Sequence, residues 1–254
     1  MHVIGVAAKR KNAGDTAVFH AEDETDMTFL GIIAFLDPPK PDAKEAIHGL
    51  YDAGVHVKVI SGDAPVVVEH VCKLVGMKIG EQNAVTGSDL EKMSEEELSR
   101  VVEKNDIFAR LSPMQKQRVV DALRKNGHVV GYMGDGVNDA PSLHDADVGI
   151  SVDNATDVAK ASADIIILEK SLTGILNGIY EGRRIYGNIL KYMKMALSGN
   201  FGNVFSVLIA SIFLPFLPIL PLQILIQNLI YDFTQIAIPW DNVDEEFLQK
   251  PHKW

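Results

Sequence analysis

The most informative stretch of the sequence is Gly134-Asp135-Gly136-Val137-Asn138-Asp139-Ala140-Pro141. It follows a short apolar run, His128 to Met133, that is typical of a buried strand. Its glycines permit a tight turn, and its two carboxylates repel each other unless a cation or proton offsets their charge. A hairpin turn is the alternative, but Ala140-Pro141 indicates a helix start rather than a second strand. We therefore favour a loop that holds Mg²⁺ beside a phosphate.

A long uncharged segment lies downstream of this loop. The 37 positions from Met195 to Tyr231 contain no charged residue. A single helix of that length would span about 55 Å, well beyond a hydrocarbon core of about 30 Å. Prolines interrupt the middle, so we predict two membrane helices, Leu197–Leu214 and Leu222–Ile238, joined by a short turn. The alternative is a buried helical hairpin in a soluble core.

Composition narrows the class of protein. The chain has 254 residues and a net charge of −10, so it lacks the basic surface of a nucleic-acid binder. Its single cysteine, Cys72, excludes an intrachain disulfide and a multi-cysteine metal site. We expect no nucleic-acid partner.

The first two thirds of the sequence alternates between strand and helix patterns. The predicted strands are Val3–Ala8, Gly31–Leu36, Val55–Ile60, Ile107–Leu111, Val129–Met133, Val148–Val152 and Ile165–Leu168. The predicted helices are Asp42–Ala53, Ala64–Leu74, Ser94–Lys104 and Ser112–Lys125. The last two begin with a capping box, in which a serine is followed three residues later by Glu or Gln. This pattern predicts an α/β fold, a parallel sheet with helices on both faces.

Three aspartates fall at predicted strand ends, where the sites of such sheets lie: Asp37, Asp63 and Asp135. From Ser171 onward the apolar spacing becomes helical, which predicts a stalk that leads into the first membrane helix. Basic residues precede that helix, so this end faces the cytoplasm.

These features occur together in a known order. Asp37-Pro38-Pro39, Ser61-Gly62-Asp63, Phe108-Ala109-Arg110, Lys116 and the loop at 134–141 are followed by a stalk and a membrane hairpin. In this the sequence resembles the P-type ATPases, cation pumps of the haloacid-dehalogenase superfamily. The membrane part is most similar to the magnesium-translocating branch. The resemblance covers essentially the whole chain.

The resemblance implies roles for individual residues. Asp135 would ligate the catalytic Mg²⁺, with Asp139 as a second metal ligand, and ATP would be the substrate. The other implied catalytic residues are Asn138, Lys116, Ser61, Gly62 and Asp63. Asp37, Gly134 and Gly136 would contribute to cofactor binding. Asp37 precedes two prolines, so an ordinary turn residue is a serious alternative.

The membrane helices carry the implied ligands of the transported cation: Asn200, Asn203, Asn228 and Asp232. Asn228 and Asp232 are four residues apart and share a helix face. The calcium-pump branch has an acidic residue where Asn203 stands, so its absence favours Mg²⁺. Asp232 closes the uncharged run, so it could instead simply end the helix. Gln223, Gln227 and Gln235 could line the path or bond between helices.

The family's Asp-Lys-Thr-Gly-Thr motif, which holds the phosphorylated aspartate, is absent. We therefore expect a fragment that is inactive alone, with the missing remainder of the pump, ATP, the lipid bilayer and a divalent cation as partners. The expected location is the plasma membrane, multi-pass, with the N-terminal domain cytoplasmic. The alternatives are a pump for another divalent cation, a soluble haloacid-dehalogenase-type phosphatase, or a truncated subunit that only binds or regulates.

The sequence predicts five parts. They are the end of a nucleotide-domain excursion (1–30), a phosphorylation domain (31–170), a stalk helix (171–196), a transmembrane helical hairpin (197–239) and a cytoplasmic loop (240–254).

Overall fold

The computed structural model describes residues 2–10, 24–35, 38–77, 84–168 and 171–252. The strands are β1 (His2–Ala8), β2 (Thr28–Phe35), β3 (Val59–Ile60), β4 (Val85–Thr86), β5 (Ile107–Ala109), β6 (Gly131–Met133), β7 (Val148–Val152) and β8 (Ile165–Ile167). The helices are α1 (Ala43–Asp52), α2 (Pro65–Leu74), α3 (Gly87–Leu90), α4 (Glu95–Lys104), α5 (Pro113–Lys125), α6 (Ala140–Asp145), α7 (Asp157–Ala161), α8 (Thr173–Phe213), α9 (Pro221–Gln235) and α10 (Glu245–Gln249).

Two three-stranded parallel sheets form the α/β part, in the orders β3-β5-β4 and β6-β7-β8. The predicted α/β class with parallel strands is therefore confirmed. Ile60 of the first sheet and Val130, beside the second, each pack against the same two clusters of buried residues. These two side chains thus connect the cores of the two sheets.

The first two strands depart from the prediction of a single parallel sheet. β1 pairs antiparallel with β2, with a bulge between Val6 and Ala7. Val3 and Ile4 on β1, like Phe29 and Ile32 on β2, are about half exposed or more. The hairpin therefore lies outside the parallel sheets. The predicted domain boundary at residue 30 falls inside β2.

Helix α5 shows why its start could be predicted from the local sequence. The Ser112 hydroxyl accepts a bond from the Gln115 N–H, and the Gln115 side chain accepts one from the Ser112 N–H. Pro113 occupies the first helical position, where no N–H is needed. Further along the helix, Val119 and Val120 are completely buried. The same capping arrangement begins α4 at Ser94 and Glu97.

Helix α8 is continuous over 41 residues, so the predicted stalk and the first predicted membrane helix form one element. Its first turn is capped from another helix. An oxygen of Asp42, just before α1, accepts bonds from the Ser171 hydroxyl at 2.7 Å and from the N–H groups of Leu172 and Thr173. Gly49 of α1 lies against Leu176, where an added Cβ would clash. The α/β part thus holds the base of α8.

Among the residues that the structure describes, one helix, Thr173–Phe213, is long and apolar enough to cross a membrane by length and composition. Helix α9 has 15 residues, about 22 Å. It ends three residues before the predicted Ile238, and a 3-10 turn follows at Ile238–Trp240. The chain turns there because Pro239 cannot continue the helix and the Asn188 amide binds the carbonyls of Pro239 and Asp241.

Candidate functional site

The loop that follows β6 is built on two close approaches. The Gly134 N–H donates to the Ile150 carbonyl of β7, which extends the sheet into the loop. A Cβ at position 134 would lie 2.5 Å from that of Asp139, so only glycine fits. A 3-10 turn, Val137–Asp139, then leads directly into α6, which contains Pro141 in its first turn. The predicted helix start at Ala140 is confirmed.

Asp139 fixes the shape of this loop. Its Oδ1 accepts bonds from the Lys116 ammonium at 2.8 Å and the Tyr132 hydroxyl at 3.0 Å. Its Oδ2 accepts from the Gly136 N–H at 3.2 Å. The side chains of Lys116 and Asp139 are each 13% exposed, so solvent screens their ion pair little. α5, β6 and the loop are thereby joined at one carboxylate.

These contacts shift the ionisation of the groups involved. Burial alone would raise the pKa of Asp139, but the hydrogen bond and charge of Lys116, with Tyr132 and the Gly136 N–H, hold that pKa below its ordinary value. Burial and the Asp139 charge raise the pKa of Tyr132. Tyr132 is therefore a neutral donor and Asp139 an anion at neutral pH.

Asp135 differs from Asp139. Its backbone carbonyl accepts bonds from the Thr156 N–H at 3.0 Å and the Thr156 hydroxyl at 3.3 Å. Ser151 holds the Gly134 carbonyl in the same way, at 2.9 Å. The Asp135 side chain is exposed, and within the described ranges no group bonds to its carboxylate. The loop thus fixes the backbone of Asp135 and leaves its oxygens available.

No three carboxylate, histidine or cysteine side chains come together as a metal site in the part of the chain that the structure describes. A cation at Asp135 would complete its shell with water, backbone or phosphate oxygens, as Mg²⁺ commonly does. Both oxygens of Asp139 already have partners, which suits a residue that holds the loop. Its predicted role as a second metal ligand stays a prediction.

The Ser61-Gly62-Asp63 turn follows β3. The Ser61 hydroxyl accepts from the Asp63 N–H at 3.1 Å and lies 3.2 Å from the Asp63 carboxylate. Arg110, which has a left-handed φ of 54°, donates its N–H to the Asp63 carbonyl. No hydrogen bond joins this turn to the loop at 134–141 among the described residues. Its predicted phosphate contact stays a prediction.

The structure thus brings together Lys116, Asp139, Gly134 and Gly136. Asn138 is exposed and makes no side-chain hydrogen bond to any described residue. Asp37 lies outside the described residues.

Tyr132, Ser151 and Thr156 belong to no motif that marks them in the sequence. Tyr132 is the one buried residue of β6, and a hydroxyl at a buried strand position indicates a polar partner nearby.

The predicted cation ligands lie on two antiparallel helices. Gln227 of α9 donates to the Asn203 amide oxygen of α8 at 2.9 Å, and the Tyr231 hydroxyl donates to the Met195 carbonyl. The predicted bonding between helices through glutamine therefore occurs at Gln227. Within the structure as described, Asn200, Asn228 and Asp232 are exposed and no hydrogen bond joins them.

Comparison with known proteins places this site in a family. The family model for haloacid dehalogenase-like hydrolases matches residues 4–147, more than half of the chain and the whole of the loop. The chain belongs to the haloacid dehalogenase-like hydrolases. The matched residues include Lys116, Tyr132, Asp135 and Asp139.

Curated relatives of this haloacid dehalogenase-like chain narrow the comparison. It is 54% identical over 246 residues, 97% of its length, to "Magnesium-transporting ATPase, P-type 1" of Salmonella typhimurium strain LT2. It is 53% identical over 256 residues to the protein of the same name in Escherichia coli K12. A "Calcium-transporting ATPase" of Bacillus subtilis is 37% identical over 252 residues. The resemblance to P-type ATPases of the magnesium branch is confirmed.

The chain covers 27% of the length of the Salmonella relative and 28% of the other two. A solved catalytic domain of the CPx-ATPase CopB-B aligns with 59% of this chain and 47% of its own, at 26% identity and a TM-score of 0.43.

Proposed function

We propose that this chain is part of an ATP-driven, magnesium-translocating P-type ATPase. It would supply the second part of the phosphorylation domain, the stalk and a pair of membrane helices. Identity of 53–54% with magnesium-transporting relatives over nearly the whole chain supports the class. The observation that carries the chemistry is the loop in which Lys116, Tyr132 and Gly136 hold Asp139 while the Asp135 carboxylate stays free.

Asp135 is the residue suited to hold the catalytic Mg²⁺. It is an exposed oxygen donor on a backbone fixed by Thr156, so a cation meets a ligand that needs no reorganisation. Bound Mg²⁺ neutralises charge that develops on a transferred phosphoryl group. Lys116 and Asp139 hold the loop beneath it, and the Ser61 turn would contribute the Ser61 hydroxyl and the Gly62 N–H to a phosphate.

The phosphorylated aspartate and the nucleotide would come from the rest of the pump. β3 and β6 each pair with one neighbour, so each has an edge that no described strand occupies. Val129, next to β6, is 85% exposed. We propose that a strand from the missing remainder pairs with these edges and unites the two sheets, because an unpaired edge leaves backbone groups that a further strand satisfies.

The helices α8 and α9 would form the membrane hairpin. Asn200, Asn203, Asn228 and Asp232 would provide oxygen ligands for the transported cation. The basic residues in the N-terminal half of α8 favour a cytoplasmic position for that end of the helix and for the α/β part. The plasma membrane is the proposed location, and the domain division of the sequence analysis is part of this proposal.

A chimera tests the proposal. Residues 1–254 replace the matching segment of the Escherichia coli magnesium-transporting relative, in cells that need this pump to grow at low Mg²⁺. We expect growth to be restored, and lost with Asp135→Ala. Failure of a well-expressed chimera to support either growth or ATP hydrolysis would overturn the proposal.

Another divalent cation is the second candidate, because a calcium-transporting relative is 37% identical. Titration of the chimera's ATPase activity with Mg²⁺, Ca²⁺ and Mn²⁺ separates the two.

A further inference from the structure

A cavity of about 550 Å³ opens between the lower part of α8 and the end of α9. Its lining residues include Asp232, Asn188 and Gln235, amid aliphatic residues such as Ile189 and Ile236. Asn188 and Gln235 are each only 4% exposed. Two of their amide atoms, Oδ1 of Asn188 and Nε2 of Gln235, are buried and have no hydrogen-bond partner among the described residues. Buried polar atoms normally have partners, so this pair points to a ligand.

The Asn188 amide is fixed in one orientation. Its Nδ2 donates to the carbonyls of Pro239 at 3.2 Å and Asp241 at 3.0 Å. Both N–H groups are thereby used, and the unpartnered atom is the oxygen. Together with the Asp232 carboxylate, the cavity therefore offers acceptors that require a cation or a strong hydrogen-bond donor.

Gln235 is free to add a third oxygen. No described group bonds to its amide, so a half-turn about the terminal torsion exchanges Nε2 for Oε1 at no loss of contacts. Two amide oxygens and one carboxylate are hard ligands that suit a divalent cation.

The surroundings favour a cation over an anion. Lys191, one turn from Asn188 on α8, is bound to the Asp241 carboxylate at 2.7 Å and the Asn242 carbonyl at 2.6 Å, so its charge is already compensated. Six waters occupy about 180 Å³ in the liquid, so the cavity accommodates a cation with its water shell.

We propose that this cavity is a cytoplasmic-side holding site for a partly hydrated divalent cation, with Asn188 and Gln235 as additional ligands beside Asp232. The proposal rests on the proposed transport function and adds a second position to its path, below the level of Asn203. Because an amide–cation contact exchanges readily with water, a cation held here can also leave.

The test measures Mn²⁺ binding by electron paramagnetic resonance on the full chain in lipid nanodiscs. All variants carry Asp135→Ala, so that the loop contributes no binding. Gln235→Leu is the decisive variant, because leucine fills the same space and removes only an unpartnered amide. Gln223→Leu, at the other end of α9, is the matched control. Asn188→Leu and Asp232→Asn complete the set, with circular dichroism as a check of the fold.

We expect Gln235→Leu to raise the thermal midpoint and yet weaken Mn²⁺ binding about fivefold, while Asn188→Leu weakens it about tenfold. A purely structural Gln235 would raise the midpoint and leave binding unchanged, which would overturn the holding site. If Asp232→Asn alone abolished binding, the holding site would fall and the transport proposal would stand. If no variant changed binding, both would fall.

Discussion

The loop at residues 134–141 and the cavity between α8 and α9 differ in how far their polar groups are satisfied by hydrogen bonds. In the loop, Asp139 has a donor for each oxygen, while the Asp135 carboxylate has no hydrogen-bond partner among the described residues. In the cavity, Asn188 and Gln235 are buried with polar atoms that no neighbour satisfies. The first arrangement fixes one reactive group, whereas the second keeps several weak ligands available.

The difference matches the two tasks that we propose. Catalysis gains from donors and charges that are already in place when charge develops. Transport requires ligands that bind a cation firmly enough to accept it and weakly enough to release it. Four predictions test how firmly the loop is held and how the helix pair is anchored.

The largest expected effect comes from the one free carboxylate. In the chimera, Asp135→Ala should lower phosphoenzyme formation at least about a hundredfold, because it removes the metal ligand. The free energy of unfolding should change by less than about 0.5 kcal/mol, since the carboxylate has no partner to lose. Acid-stable ³²P incorporation measures the first quantity. Asp153→Ala, an exposed carboxylate 3.9 Å from Lys160, is the control. Normal labelling of the Asp135 variant would contradict the assignment.

Removal of the Lys116 ammonium, which pairs with Asp139, should cause the largest loss of stability. Lys116→Met leaves Asp139 as a mostly buried, unpaired charge, so we expect a loss of about 3 kcal/mol in urea unfolding of the chain. Lys160→Met breaks a longer, more exposed pair and should cost less than about 1 kcal/mol. Equal effects of the two variants would show that the loop is not held by this ion pair.

The pH dependence sharpens the same point. The pKa of Asp139 is lowered in the folded state, so its stabilisation is complete above the ordinary carboxyl pKa of about 4 and is lost as the pH falls through the lowered value. Asp139→Asn should therefore be less stable than the native chain by about 2 kcal/mol at pH 7, and the gap should narrow below about pH 4. Urea titrations from pH 7 to pH 3 measure it. A gap of constant size would contradict this ionisation.

The smallest effect concerns the anchor of the helix pair. Asp42→Ala removes the acceptor for Ser171, Leu172 and Thr173 at the start of α8, and we expect a loss of about 1 kcal/mol. Asp52→Ala, in the last turn of α1, is the matched change and should have almost no effect. If the two were equal, the base of α8 would depend on packing alone.

Local signals explain what could be predicted from the sequence. The start of α5 was predictable because Ser112 and Gln115 bond to each other and Pro113 suits the first helical position. The turn at Gly134 was predictable because a side chain there would collide with Asp139. The pairing of β1 with β2 could not be predicted in the same way. Each of these strands could pair with more than one other strand, and the choice depends on residues that are far away in the sequence.

The residues of the candidate site also fall into two groups, those that local sequence predicts and those that it does not. Asp135 and Asp139 were found because both lie in one short loop motif, and Lys116 was found from its resemblance to the P-type ATPases and its place after a helix cap. The roles of Tyr132 and Asn188 depend on partners that folding supplies, seven residues away for Tyr132 and more than fifty for Asn188. Burial of a polar side chain is the signal for such residues, and burial is known only once the fold is known.

The uninterrupted α8 also has a mechanical meaning. At about 1.5 Å per residue its 41 residues make a rod of about 60 Å, clamped at its foot by Asp42. A tilt of about 10° at Thr173 displaces the far end, near Phe213, by about 10 Å, twice the pitch of a helical turn. Asn200 and Asn203 ride about two thirds of the way along it. A small rotation at the N-terminal end of α8 is therefore amplified into a displacement of several ångströms at Asn200 and Asn203, where the cation would bind.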